Sequence, residues 1–80
     1  MPFAPDDIEP IGQVPNSTAF AYTVSRDGEI IGQVRAPQAP GWLNAGLDPR
    51  EKIAGRLNAT EESVGFEQLA EMLRKILDLG

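Results

Sequence analysis

Phe20-Ala21-Tyr22-Thr23-Val24-Ser25-Arg26-Asp27-Gly28-Glu29-Ile30-Ile31-Gly32-Gln33-Val34 is the stretch on which the fold of this chain turns. Two segments rich in β-branched and aromatic residues flank Asp27-Gly28, and an Asp-Gly pair in that setting is the strongest short-range hairpin signal. Side-chain parity selects the loop. A two-residue turn would set Val24 opposite Ile31 and Phe20 opposite Arg35, mixing apolar and charged groups on both faces. A three-residue loop, Arg26-Asp27-Gly28, pairs Ser25 with Glu29, Val24 with Ile30, Tyr22 with Gly32 and Phe20 with Val34. One face then carries Phe20, Tyr22, Val24, Ile30 and Val34, and the other Ala21, Thr23, Ser25, Glu29, Ile31, Gln33 and Arg35. A slip of one residue exchanges the faces, so the cleaner split is expected. Gly28 would sit left-handed at the bulge position, with Tyr22 over the bare backbone of Gly32.

Outward from the hairpin, residues 1–18 hold Pro2, Pro5, Pro10 and Pro15, a density that excludes a helix. Ile11-Gly12-Gln13-Val14 reads as a short strand, confined to a sheet edge by Pro10. Pro15-Asn16-Ser17 is a turn leading into the hairpin, which spans 19–36. A lone hairpin is barely stable, so a third strand and a packed helix are expected with it. Residues 37–47 form a Pro- and Gly-rich loop around Trp42, either a cap on the core or an exposed aromatic anchor for a partner. Asp48-Pro49-Arg50-Glu51 starts a short helix over 48–58, with Asp48 as N-cap, Pro49 at the first helical position and Asn58 as stop. A last helix over 63–79, capped by Thr60 or Ser63, carries Phe66, Leu69, Ala70, Leu73, Ile76 and Leu77 at helical spacing. Its apolar stripe should cover the Phe20 face of the hairpin. The fold class is therefore α+β: a three-stranded antiparallel meander packed against a C-terminal amphipathic helix, with one additional short helix, in a single domain over 1–80.

With 80 residues the chain buries roughly 60% of its unfolded surface. It has no cysteine and no histidine, so neither a disulfide framework nor the commonest general base and metal ligands are available. Carboxylate pairs such as Glu61/Glu62 and Asp6/Asp7 are adjacent in sequence, and nothing predicts the burial that would shift their pKa values for acid–base work. No cofactor, no metal and no catalytic residue are expected. The formal charge of −5 disfavours nucleic acid and anionic membrane and favours basic protein surfaces. No run is long enough to span a bilayer, and the start has neither the basic nor the apolar region of an export signal, so a cytoplasmic protein is expected.

Two readings compete for the helical half. Ile53 to Val64 looks like the first helix and turn of a helix-turn-helix DNA-binding unit. Its second helix, however, would offer Gly65, Glu67, Gln68 and Glu71 to the groove, an acidic face where phosphate neutralisation is required. The other reading is a protein-binding module that occupies a basic surface. Its candidate residues are Asp6, Asp7, Glu9, Glu61, Glu62, Glu67 and Glu71, with Trp42 beside them, and a second candidate surface is the outer hairpin face of Thr23, Ile31, Gln33 and Arg35.

The run Thr23-Val24-Ser25-Arg26-Asp27-Gly28-Glu29-Ile30-Ile31-Gly32-Gln33-Val34-Arg35-Ala36 resembles the hairpin of small phage-encoded anti-CRISPR proteins that act on type I systems. These also show a strand, Arg-Asp-Gly, a second strand containing Gly, and Arg-Ala before a Gly/Pro loop. The resemblance implies a stoichiometric inhibitor in the cytoplasm of a bacterial host, its acidic groups occupying a Lys/Arg-rich subunit of a CRISPR effector complex and blocking recognition of target DNA. A small phage structural or accessory protein is the alternative within the protein-binding class.

Overall fold

A computed structural model describes residues 2–37 and 48–79. A 3-10 turn at Pro5–Asp7 leads into β1 (Ile8–Gln13), β2 (Ala19–Arg26) and β3 (Glu29–Pro37), followed by helices α1 (Pro49–Val64) and α2 (Phe66–Arg74) and a short β4 (Leu77–Asp78). The strands lie in the order β1-β2-β3-β4, the first three as an antiparallel meander and β4 parallel to β3. Both helices pack on one face of this sheet and share one apolar core with it. The expected α+β architecture is present, with β4 as an addition.

The hairpin register departs from the expected one. The chain turns over two residues, Asp27 (φ 53°) and Gly28 (φ 84°), so that Arg26 opposes Glu29 and Ser25 opposes Ile30. Positive φ at both positions is the primed turn whose twist matches that of the strands, and Asp tolerates it better than most side chains. The register then shifts, and Val24 opposes Gly32, Tyr22 opposes Val34 and Phe20 opposes Ala36. Ile31 is the extra residue of a β-bulge. Tyr22, Val24 and Val34 share a face as expected, but Ile30 does not join them. The bulge, not a longer loop, sets Tyr22, Val24, Val34 and Ala36 on the core face, all buried. Ile30, expected beside them, is 74% exposed, and Ile31, expected on the outer face, is half-buried against the core.

Gly32 therefore lies under α2 rather than under Tyr22. A methyl group added there would come within 2.5 Å of the backbone carbon and Cβ of Leu73. Only a glycine lets the helix approach the strand this closely. Leu69 and Leu73, one turn apart, are fully buried on that contact, and Ile53, Ala54 and Leu57 of α1 fill the space above Ile8 and Phe3. Such buried aliphatic side chains contribute about 1.5–3 kcal/mol each.

The helix boundaries also differ from expectation. Asp48 caps α1 as expected, its Oδ1 accepting the Arg50 N–H at 3.0 Å, but the helix runs through Asn58 and Thr60 to Val64. Asn58 fails as a stop because its side chain is used elsewhere: Oδ1 accepts from the Phe3 N–H at 2.7 Å, and Nδ2 donates to the Phe3 carbonyl at 3.1 Å. This two-point bracket pins the N-terminal arm to α1. Thr60, a candidate cap, instead turns its hydroxyl back onto the Arg56 carbonyl at 2.8 Å. The break falls at Gly65 (φ 87°), a conformation with an open left-handed φ that favours glycine, and neither Thr60 nor Ser63 caps α2. The final helix is consequently short, nine residues, and Leu77 is a strand residue paired with Val34 instead of the end of the helical stripe. β1 begins at Ile8, earlier than expected, and is an edge strand with a bulge between Pro10 and Gly12.

Gly32→Ala should lower stability by about 1–3 kcal/mol, the usual range for overpacking a core. Its urea midpoint checks this against Gly55→Ala, where an added Cβ meets nothing within 4 Å and a helix-favouring gain of about 1 kcal/mol is expected.

Candidate functional site

The hairpin tip, the N-terminal arm and the α1–α2 junction meet around one side chain, Arg26. Its guanidinium lies 4.1 Å from the ring centroid of Phe3 and 4.8 Å from that of Phe66. It donates from both terminal nitrogens to Glu61, Nη1 to Oε1 and Nη2 to Oε2, each at 2.8 Å. A planar, delocalised cation suits this double role, stacking on aromatic faces and gripping a carboxylate with its fork. The pair is partly enclosed, with side-chain exposures of 18% for Arg26 and 26% for Glu61. The hydrogen bond from Arg26 holds the Glu61 carboxyl below its usual range, against the opposing effect of burial. The Glu61 hydrogen bond raises Arg26 in turn, with further help from the charges of Glu61, Asp27 and Asp7.

Three carboxylates, Asp7, Asp27 and Glu61, act electrostatically on this guanidinium. Glu62 adds a further carboxylate beside a shallow depression of about 470 Å³ lined by Pro2, Asn58, Glu61 and Glu62. Phe66 is 37% exposed, with the Arg26 guanidinium over its ring. The arrangement can attract a cation and give its aliphatic stem or guanidinium an aromatic surface.

The expected acidic residues do not form one surface. Asp7 and Glu61 belong to this end, but both are engaged internally: Asp7 Oδ2 accepts from the Ala4 N–H at 3.0 Å, holding the 3-10 turn. Glu62 is exposed beside them. Asp6 is exposed and acts electrostatically on Arg50 near the start of α1. Glu9 is exposed on β1, where it opposes Thr23 on the face away from the helices. Glu67 and Glu71 are exposed along α2, away from its buried Leu69 and Leu73. Trp42 lies outside the described residues. The second candidate surface, with Thr23, Gln33 and Arg35, is uncovered by either helix, whereas Ile31 has left it for the bulge.

Sequence reasoning missed Asp27, Phe3 and Phe66 as members of the site. Phe66 fits the helical repeat and by spacing reads as core. The signal that it is different is Gly65 immediately before it, which breaks the helix and turns the ring toward Arg26. The stretch read as the turn of a helix-turn-helix is also different: its residues lie inside the unbroken α1.

Among the described residues no group of three His, Cys, Asp or Glu side chains could hold a metal ion. No helix among them is long and apolar enough to cross a membrane. Comparisons with protein-family models, with curated proteins and with solved structures found no match for the chain.

The Glu61 contribution to stability has a defined pH dependence. Its folded pKa is depressed, so the stabilisation is present above the usual glutamate range near about 4.3 and is lost as pH falls through the lower folded value. Glu61→Gln should therefore be less stable than the parent chain at pH 7, and the gap between their urea midpoints should close on acidification. Arg26→Lys, which keeps the charge but loses the fork and the planar stack, should also be destabilised.

Proposed function

We propose that this protein is a stoichiometric, non-catalytic inhibitor that binds a basic protein surface, and that its partner is a Lys/Arg-rich subunit of a type I CRISPR effector complex in the cytoplasm of a bacterial host. The observation that carries the protein-binding reading is the hairpin end, where Asp7, Asp27 and Glu61 act on Arg26 and the ring of Phe66 against that guanidinium is partly exposed. The hairpin resemblance supplies the identity of the partner. Phe66 supplies the aromatic surface of this end.

The mode of action follows from charge. An effector surface built to bind target DNA presents Lys and Arg at phosphate spacing. A chain of net charge −5 is drawn to such a surface, and a rigid anionic end seated there excludes the phosphates. Asp27 and Glu62 are the carboxylates of this end best placed to act outwardly, since Asp7 and Glu61 already serve the fold. Inhibition then needs no bond-making chemistry and scales with occupancy.

The test is a binding assay of the purified protein against a panel of type I effector complexes, paired with relief of interference in cells. Binding to one complex is expected, weakening with added salt. Neutralising Asp27 and Glu62 together, Asp27→Asn with Glu62→Gln, should reduce affinity by about tenfold, equivalent to about 1.4 kcal/mol. Absence of binding and of relief across the panel would overturn the proposal, and salt-dependent binding to duplex DNA by the protein alone would replace it with a DNA-binding regulator.

A further inference from the structure

A depression of about 430 Å³ opens where the far end of β3, away from the hairpin turn, meets α1. Its apolar lining includes Ala36 and Ile53, both buried, and the half-buried Leu79. Lys52, Gly55 and Arg56 of α1 line it as exposed residues. None of these residues belongs to the Arg26 cluster. The volume lies within the range of small-molecule sites, about 300–1,000 Å³.

Two local choices in α1 disfavour the helix, and both line this depression. Gly55 is interior to the helix, where glycine is a worse helix former than any residue but proline. The usual reasons for a glycine are missing: its φ is not left-handed, and an added Cβ would meet nothing within 4 Å. Lys52 and Arg56 stand four residues apart, a spacing at which like charges repel. The residues three and four away from Arg56 are Lys52, Ile53, Ala59 and Thr60, none of them acidic. Its guanidinium makes no ion pair among the described residues, whereas Arg26 and Arg50 each make one. Departures from local consistency are expected where a protein is used, and here they converge on one cavity.

The lining says what fits. Among the described residues, the only charged side chains lining the depression are positive, on a chain of net charge −5. A purely apolar occupant would leave these cations unused. A small inorganic anion would gain nothing from Ala36, Ile53 and Leu79. An aliphatic carboxylate uses both: its hydrocarbon lies on the apolar lining, and its head group accepts from the planar fork of Arg56. Gly55, without a side chain, leaves room for the hydrocarbon against the helix backbone. We infer that this depression is a binding site for a medium-chain aliphatic carboxylate, separate from the acidic end, with Arg56 holding the head group.

Titration of the full chain with octanoate, followed by NMR, tests this. The backbone amide resonances of Ile53, Gly55 and Arg56 should shift saturably, with a Kd of about 1 mM or tighter. Octanamide, which keeps the hydrocarbon and loses the charge, should bind about tenfold more weakly. Arg56→Gln, at an exposed position, should cost octanoate about tenfold in affinity, and Arg56→Lys should recover part of it. Gly55→Leu should abolish binding by filling the depression, while its urea midpoint equals or exceeds that of the parent because leucine is the better helix former. Absence of saturable shifts at millimolar octanoate, equal affinity for octanamide, or binding unchanged by Arg56→Gln would each overturn the inference. So would a Gly55→Leu chain that binds like the parent, or one less stable than the parent, since the glycine would then serve the fold and not a ligand.

Discussion

One extra residue in β3 governs the molecule. The two-residue turn at Asp27-Gly28 imposes a register in which Val24 would face Ile31, with the apolar residues of the two strands on opposite faces. The bulge at Ile31 moves β3 by one place, and Tyr22, Val24, Val34 and Ala36 come to share a face. The same shift places Gly32 opposite Val24, where its missing side chain admits the backbone of Leu73. The position of α2 then fixes the α1–α2 junction at Gly65 and carries Phe66 over Arg26. Turn, bulge, glycine contact and clasp form a sequence of geometric consequences, each local and each dependent on the one before.

The Arg26 clasp ties the acidic end to the fold. Arg26 lies in the hairpin, Phe3 in the N-terminal arm, and Glu61 and Phe66 on either side of the helix break. These parts are distant in sequence, and their meeting gives the acidic end its shape. The cation that assembles the end also reduces its negative charge. A neutral residue in place of Arg26 would leave more formal charge at this end but remove the group that brings the carboxylates together. An exposed anionic surface on a small domain faces this conflict generally, because carboxylates held close repel one another. A buried-edge guanidinium with two aromatic faces resolves it at the expense of one carboxylate, Glu61.

What could be read from the sequence were the features carried by local chemistry. Asp27-Gly28 announced the hairpin, Asp48-Pro49 announced the start of α1, and alternation in Tyr22, Val24 and Val34 announced the core face. What could not be read depended on contacts between distant segments. Asn58 is a reasonable helix stop until Phe3 presents a backbone N–H and carbonyl for its amide to hold. Leu77 continues the helical repeat of Leu69 and Leu73, and only its pairing with Val34 makes it a strand residue. In the candidate site, the acidic residues were identified by type, but their grouping was not, because composition does not say which carboxylates are consumed by caps and ion pairs. Phe66 was concealed by periodicity: a residue at core spacing reads as core unless the helix break one position before it is weighed.

That break also sets where the acidic side chains of the helical half fall. Glu67 and Glu71, four residues apart, share one side of α2, and Gly65 separates them from Glu62, which stays with the last turn of α1 at the hairpin end. The shortened α2 then ends at Arg74, early enough for Ile76 to turn and for Leu77 to join the sheet. The Arg26 cluster and the β3–β4 pairing are therefore two products of one glycine-mediated interruption. A helix continuous through Gly65 would lose the first by misplacing Phe66, and the second by carrying Leu77 away from Val34.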